Sequence, residues 1–174
     1  MLENHLRRLG QGDISALADV YKIMRKAVFS VCYTMMRDYS LAEDMMQDTF
    51  LRVNHYIKHY KEREKAKAWI LRIAKNVCLN ELKKRKREVF SEYSIDRYNK
   101  GTTEITAYDE SGIISAVNKY LNENESRIVL MHTIGDISLK DIAELLQKPQ
   151  GTVRWQYNNA LNKLRKMIKK EELL

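Results

Sequence analysis

One proline, Pro149, and six glycines in 174 residues leave few positions for the tight turns that sheet topologies need at every strand end. Cys32 and Cys78 are far apart and form no CxxC pair. That excludes a disulfide-stapled scaffold or a thiol-rich zinc site, and buried reduced thiols are expected instead. No apolar run approaches the ~20 residues a membrane-spanning helix requires. The opening Met1-Leu2-Glu3-Asn4-His5 has no signal-peptide pattern, so a cytoplasmic chain without membrane insertion is expected. There is no Gly-rich phosphate loop and no supportable Ser/His/Asp arrangement. His55 and His59 stand at i, i+4 but lack a third ligand and the glutamate of an HExxH motif. Neither catalysis nor a metal or cofactor is expected.

What is present is apolar residues at helical spacing almost throughout, within a hydrophobic content of 44%. This predicts an all-α protein. The formal net charge of +8 and a pI near 9.4 favour a polyanionic partner. The charge is uneven. Residues 1–90 carry 19 Lys/Arg against 11 Asp/Glu, residues 91–112 carry 2 against 5, and residues 113–174 carry 10 against 7. The middle segment is polar, acidic and without helical apolar period, and connectors this long are unusual inside one compact domain. Two small helical domains, 1–90 and 113–174, joined by a flexible linker over 91–112, are therefore expected.

In the first domain, Asp13 or Ser15 can cap a helix running inward through Leu17, Val20, Tyr21, Met24, Val28, Val31 and Met35. After a break at Arg37-Asp38-Tyr39, Ser40 and Glu43 have the spacing of a capping box. The helix they open, expected to reach about Tyr60, buries Ala42, Met46, Phe50 (or Thr49) and Val53. Its other face presents Asp44, Gln47, Asp48 and Leu51 side by side. An acidic face on a basic protein repels DNA, so its partner should be a basic protein.

Trp69, Ile70, Ile73, Ala74, Val77 and Leu82 form the apolar stripe of a third helix, whose other faces hold Lys67, Arg72, Lys75, Asn76 and Asn80. It ends in the run Lys83-Lys84-Arg85-Lys86-Arg87, which extends a face suited to a polyanion.

The second domain resumes at Ile113. Asn122 and Glu125 can cap a helix that Gly135 ends, and Ser138 can cap the short helix 138–146. Gln147-Lys148-Pro149-Gln150 turns the chain into a last helix from about Gly151, with Val153, Tyr157, Ala160, Leu161, Leu164 and Ile168 inward. A short capped helix, a turn and a second helix with polar first turns have helix-turn-helix form, and Ala143 lets the two helices approach. In such a unit Thr152, Arg154, Trp155 and Asn158 would meet base edges, Arg pairing with guanine and Asn with adenine. Lys148, Lys163 and Lys166 would meet phosphates.

The two halves together resemble the sigma factors of bacterial RNA polymerase, in their two-domain extracytoplasmic-function form. The resemblance rests on Asp44-Met45-Met46-Gln47-Asp48-Thr49-Phe50-Leu51-Arg52-Val53, on Ala68-Trp69-Ile70-Leu71-Arg72-Ile73-Ala74-Lys75-Asn76, and on Ser138–Leu146 with Gly151-Thr152-Val153-Arg154. It covers both domains in order. It implies that Asp44, Gln47, Asp48 and Leu51 bind a basic coiled coil of the β′ subunit of core polymerase. It implies further that Lys67, Trp69, Arg72, Asn76, Asn80 and Lys83 hold the non-template strand of the minus-ten element, with Trp69 set in the apolar stripe. Lys148, Thr152, Arg154, Trp155, Asn158 and Lys163 would read the minus-thirty-five element, with the β flap as a second polymerase contact. An anti-sigma factor is a further partner common in the family. Where the family is rich in Arg, this chain has Trp155-Gln156-Tyr157-Asn158-Asn159, which implies an unusual upstream sequence. An alternative sigma factor is the expected function. A free-standing helix-turn-helix regulator would leave the acidic helix without a role. A polymerase-binding adaptor that does not read promoters would leave the helix-turn-helix idle.

Overall fold

The computed structural model describes residues 1–61, 65–91 and 110–171. The helices are α1 (Leu2–Gly10), α2 (Ala16–Met36), α3 (Tyr39–Tyr56), α4 (Ala66–Ser91), α5 (Glu110–Tyr120), α6 (Glu123–Thr133), α7 (Leu139–Leu146) and α8 (Gln150–Glu171), with a 3-10 turn at Ile57–His59. No strand occurs among the described residues. The all-α architecture is as expected. Most of the expected linker, and the side chain of Ile168, lie outside the described residues.

α1 has no counterpart among the expected helices. It buries Leu6 and Leu9, and it braces the start of α4. The Glu3 carboxylate accepts from the Tyr60 hydroxyl at 2.5 Å and from the Ala66 N–H at 2.9 Å. One acidic side chain thus ties three elements and satisfies an orphan N–H at the helix start.

α2 ends where Arg37 turns left-handed, φ 55°, with its N–H on the Tyr33 carbonyl at 2.8 Å. The expected capping box at Ser40 is not formed. Asp38 is the N-cap, its carboxylate accepting from the Leu41 N–H at 2.9 Å, and Ser40 lies exposed within the first turn. Asp38 wins because its extended backbone, φ −136°, leads out of the Arg37 turn and aims its side chain at the free amides. α3 also stops earlier than expected, tightening into the 3-10 turn after Tyr56. Tyr21, expected inward, is exposed at the surface with its ring 4.9 Å from Phe50, and Ala27 takes the core position.

In the C-terminal half the caps form as read. Asn122 and Glu125 make a reciprocal capping box, and Ser138 accepts from the Asp141 N–H at 3.1 Å. Gln147 ends α7 left-handed at φ 55°, which swings the chain into α8.

The two halves pack on one another. Ile128, Met131, Ile137, Ile142, Ala143 and Val153 join the same buried cluster as Val20, Val28, Ile70 and Leu71. A smaller cluster, including Ile114, Val117, Leu130 and Ala160, holds α5, α6 and α8 together. Gly135 sits at the closest approach: a Cβ there would lie 2.2 Å from Ser30 Oγ on α2 and 2.6 Å from the Met131 carbonyl. Gly135 therefore does more than end α6; no larger residue fits without moving the backbone.

Candidate protein and nucleic-acid interfaces

α3 separates into two faces. Ala42, Met45, Met46, Thr49, Phe50 and Val53 are buried, and the Thr49 hydroxyl is satisfied by the Met45 carbonyl at 2.7 Å. Glu43, Asp44, Gln47 and Asp48 are exposed, and Leu51 beside them is 66% exposed. An exposed leucine set among carboxylates gives an apolar contact ringed by acceptors for a basic partner.

α4 presents Arg72, Asn76, Asn80 and Lys83 to solvent at helical spacing along one side. Lys83 to Arg87 are all exposed, with Arg85 paired to Glu81 at 2.9 Å. Trp69 is half-buried against Tyr60, ring centroids 4.8 Å apart, so much of it serves packing. Lys67 and Lys75 are half-buried and engaged within the chain: Lys67 Nζ donates to the Asp136 carbonyl at 2.6 Å, and Lys75 Nζ to the Leu145 carbonyl at 2.8 Å.

On α8, Thr152, Arg154 and Asn158 are exposed and Trp155 is 66% exposed, while Val153 and Ala160 are buried beneath them. The first turns of α8 thus present an unobstructed polar edge. His132 fixes the neighbouring Tyr157 edge-on at 4.8 Å and contacts the Ile137 carbonyl through Nδ1 at 2.8 Å. Lys148 reaches Asn124 at 3.3 Å. Lys163 is occupied differently from a free phosphate contact: it pairs with Glu125, 2.7 Å from Oε1 and 3.0 Å from Oε2.

Glu125 is 3% exposed. Burial alone would raise its pKa, but hydrogen bonds from Lys163, from the Asn122 N–H and from Asn159 offset this and hold its carboxyl below the ordinary glutamate value. Glu3 and the inward ends of Lys67 and Lys75 carry structural roles that spacing does not disclose. For Glu125 the spacing discloses the cap but not its pairing with Lys163 and Asn159. His55 and His59 are exposed, and no group of three or more metal-ligating side chains forms among the described residues. No described helix is long and apolar enough to cross a membrane.

These features fit a helical DNA-binding transcription factor that also carries an exposed acidic helix face. Comparison with known proteins gives the family. Residues 20–88 match the model for sigma-70 region 2, and residues 119–166 match that for sigma-70 region 4. The chain is 25% identical to the ECF RNA polymerase sigma factor SigW of Bacillus subtilis, over 97% of both chains. It is 21% identical to the RNA polymerase sigma factor SigV of the same organism, over 83% of this chain and 86% of that one. Among solved structures, CnrH in complex with the cytosolic domain of CnrY superposes with a TM-score of 0.66 at 15% identity, over 97% of each chain. The sigma factor RpoE of Bartonella quintana, in complex with the anti-sigma factor NepR, gives 0.63 at 20% identity, over 87% of this chain and 95% of that one. The chain belongs to the sigma-70 family, in its extracytoplasmic-function group, and is an alternative sigma factor acting in transcription initiation.

Proposed function

We propose that the three exposed faces divide the work of promoter-specific initiation. The face of Asp44, Gln47, Asp48 and Leu51 docks on the basic β′ coiled coil of core polymerase. The side of α4 bearing Arg72, Asn76, Asn80 and Lys83, with Lys67 and the exposed part of Trp69, holds the non-template minus-ten strand. Opening the duplex and flipping a base costs a few kcal/mol, which phosphate contacts and a pocket must offset. α8 reads the minus-thirty-five duplex through Thr152, Arg154, Trp155 and Asn158, with Lys148 on phosphates and the C-terminal unit resting on the β flap. Lys163 acts on this element through Glu125 as well as by its charge. The protein works in the cytoplasm and contributes no catalytic group; the polymerase supplies the chemistry. An anti-sigma factor is a further proposed partner, as in the solved RpoE–NepR complex.

The observation that supports this most directly is the coexistence of an exposed acidic α3 face with an exposed helix-turn-helix edge in one chain. A free-standing regulator needs only the second. The test is run-off transcription with core polymerase on pooled random-sequence templates. Defined transcripts that require this protein are expected; core enzyme that neither binds it at low salt nor initiates with it would refute the proposal.

A further inference from the structure

Trp155 stands at the crest of α8. An α-helix turns about 100° per residue, and Val153, Tyr157, Ala160 and Leu164 form the inward side of this one. Trp155, two steps from Val153, therefore projects from nearly the opposite side, with Thr152, Asn158 and Asn159 around it. The indole is 66% exposed and joins neither apolar cluster. Among the described residues it makes no hydrogen bond or ring contact. Nor can it turn inward. Asn159 and Lys163, one and two turns further on, bond the Glu125 carboxylate at 3.0 and 2.7 Å, which fixes the rotation of α8.

A helix lying in the major groove brings its crest closest to the base edges. An indole there meets them with an apolar plate that has one donor, Nε1–H, and no acceptor. Pressed on the amino and carbonyl groups of a G·C pair, that plate strips their water and leaves most of them unpaired. Of the four bases, only thymine offers an apolar group on this edge, its C5 methyl. We infer that Trp155 is a specificity-determining residue for the upstream element, its indole packing on the C5 methyl of one thymine. The inference rests on the proposed role of α8 and adds a base identity to it. An Arg at the crest would favour guanine; Trp155 exchanges that preference for thymine, while Arg154 lies to one side of the crest.

The test removes the methyl and nothing else. Holoenzyme first selects its upstream element from a randomised duplex library. Each thymine of that element, on either strand, is then replaced singly by deoxyuridine, which leaves every pairing group in place. Wild-type holoenzyme should lose about fourfold in affinity at one thymine, the effect of one buried methyl group. Trp155→Ala should bind the thymine and uracil duplexes equally, and Trp155→Phe, which keeps an apolar ring, should retain part of the difference. Both variants should melt with wild type and co-purify with core polymerase, because the indole packs on nothing in the chain. A thymine preference unchanged in Trp155→Ala would overturn the inference. So would loss of core binding in that variant at an unchanged melting temperature, which would place the indole on the polymerase. A selected element indifferent to uracil overturns this inference alone; holoenzyme that selects no upstream element overturns the proposed role of α8 together with it.

Discussion

Lys163 and Glu125 form a two-point ion pair, 2.7 and 3.0 Å, across the α6–α8 contact. The same carboxylate accepts from the Asn122 N–H at 3.2 Å and from Asn159 at 3.0 Å, so it fixes both the start of α6 and the rotation of α8. Because its folded pKa lies below the ordinary 4.5, the folded chain holds this proton less readily than the unfolded one. The stabilisation is complete above about pH 4.5 and is lost as pH falls through the lower, folded value. Thermal melts of the full chain should show this acid-side loss in wild type and less of it in Glu125→Gln. Glu125→Ala should cost about 1–3 kcal/mol near neutral pH, since three donors lose their acceptor. Equal acid sensitivity in wild type and Glu125→Gln would mean that the pair contributes nothing.

Charge reversal on α3 tests the docking face separately from the fold. Asp48 and Gln47 are exposed, so Asp48→Lys with Gln47→Ala should leave the melting temperature almost unchanged. Affinity for core polymerase should drop, and the drop should shrink as salt is raised and screens the remaining charges. Unchanged affinity would remove α3 from the interface.

Much of this was readable in the chain because helical period and caps are local. Asn122–Glu125 and Ser138 signalled their helix starts, and the alternation of buried and exposed residues on α3 followed from i, i+3 and i+4 spacing. The Ser40 box failed for a reason also local: Asp38 competes two residues earlier, and the left-handed Arg37 decides between them. α1 was missed because nine residues with three apolar anchors carry little period; α2, the turn near Ile57 and the start of α4 hold it. The inward anchoring of Lys67 and Lys75 could not be read at all. Lys67 and Lys75 bond to backbone carbonyls 69 and 70 residues away, and a carbonyl has no side-chain identity to betray it. Lys163 reads from the sequence as a phosphate contact because its partner Glu125 lies 38 residues away, on another helix.

Cys32 and Cys78 contact one another between α2 and α4, both fully buried. The hydrogen bond with Cys78 and burial push the Cys32 thiol pKa far upward, so it stays protonated and a poor nucleophile. Neither thiol should react with a maleimide in the folded protein at neutral pH, and both should react at once in denaturant. Rapid labelling of the native chain would mean that α2 and α4 separate readily.

The proposed reading edge of α8 gives the sharpest sequence-level test. Arg154 and Asn158 are exposed one helical turn apart, with Trp155 adjacent and 66% exposed. A guanidinium in this position can bond two acceptors of one guanine, and such a pair contributes about 1–3 kcal/mol of discrimination. Arg154→Ala should therefore relax the preference at one position of the upstream element while leaving the other positions as selective as before. Lys148→Ala, as a phosphate contact, should weaken binding evenly across sequences and flatten its salt dependence. The measurement is selection from a randomised duplex library by holoenzyme containing each variant. If Arg154→Ala behaves as Lys148→Ala is expected to, Arg154 touches the backbone, and base selection passes to Asn158 and Trp155.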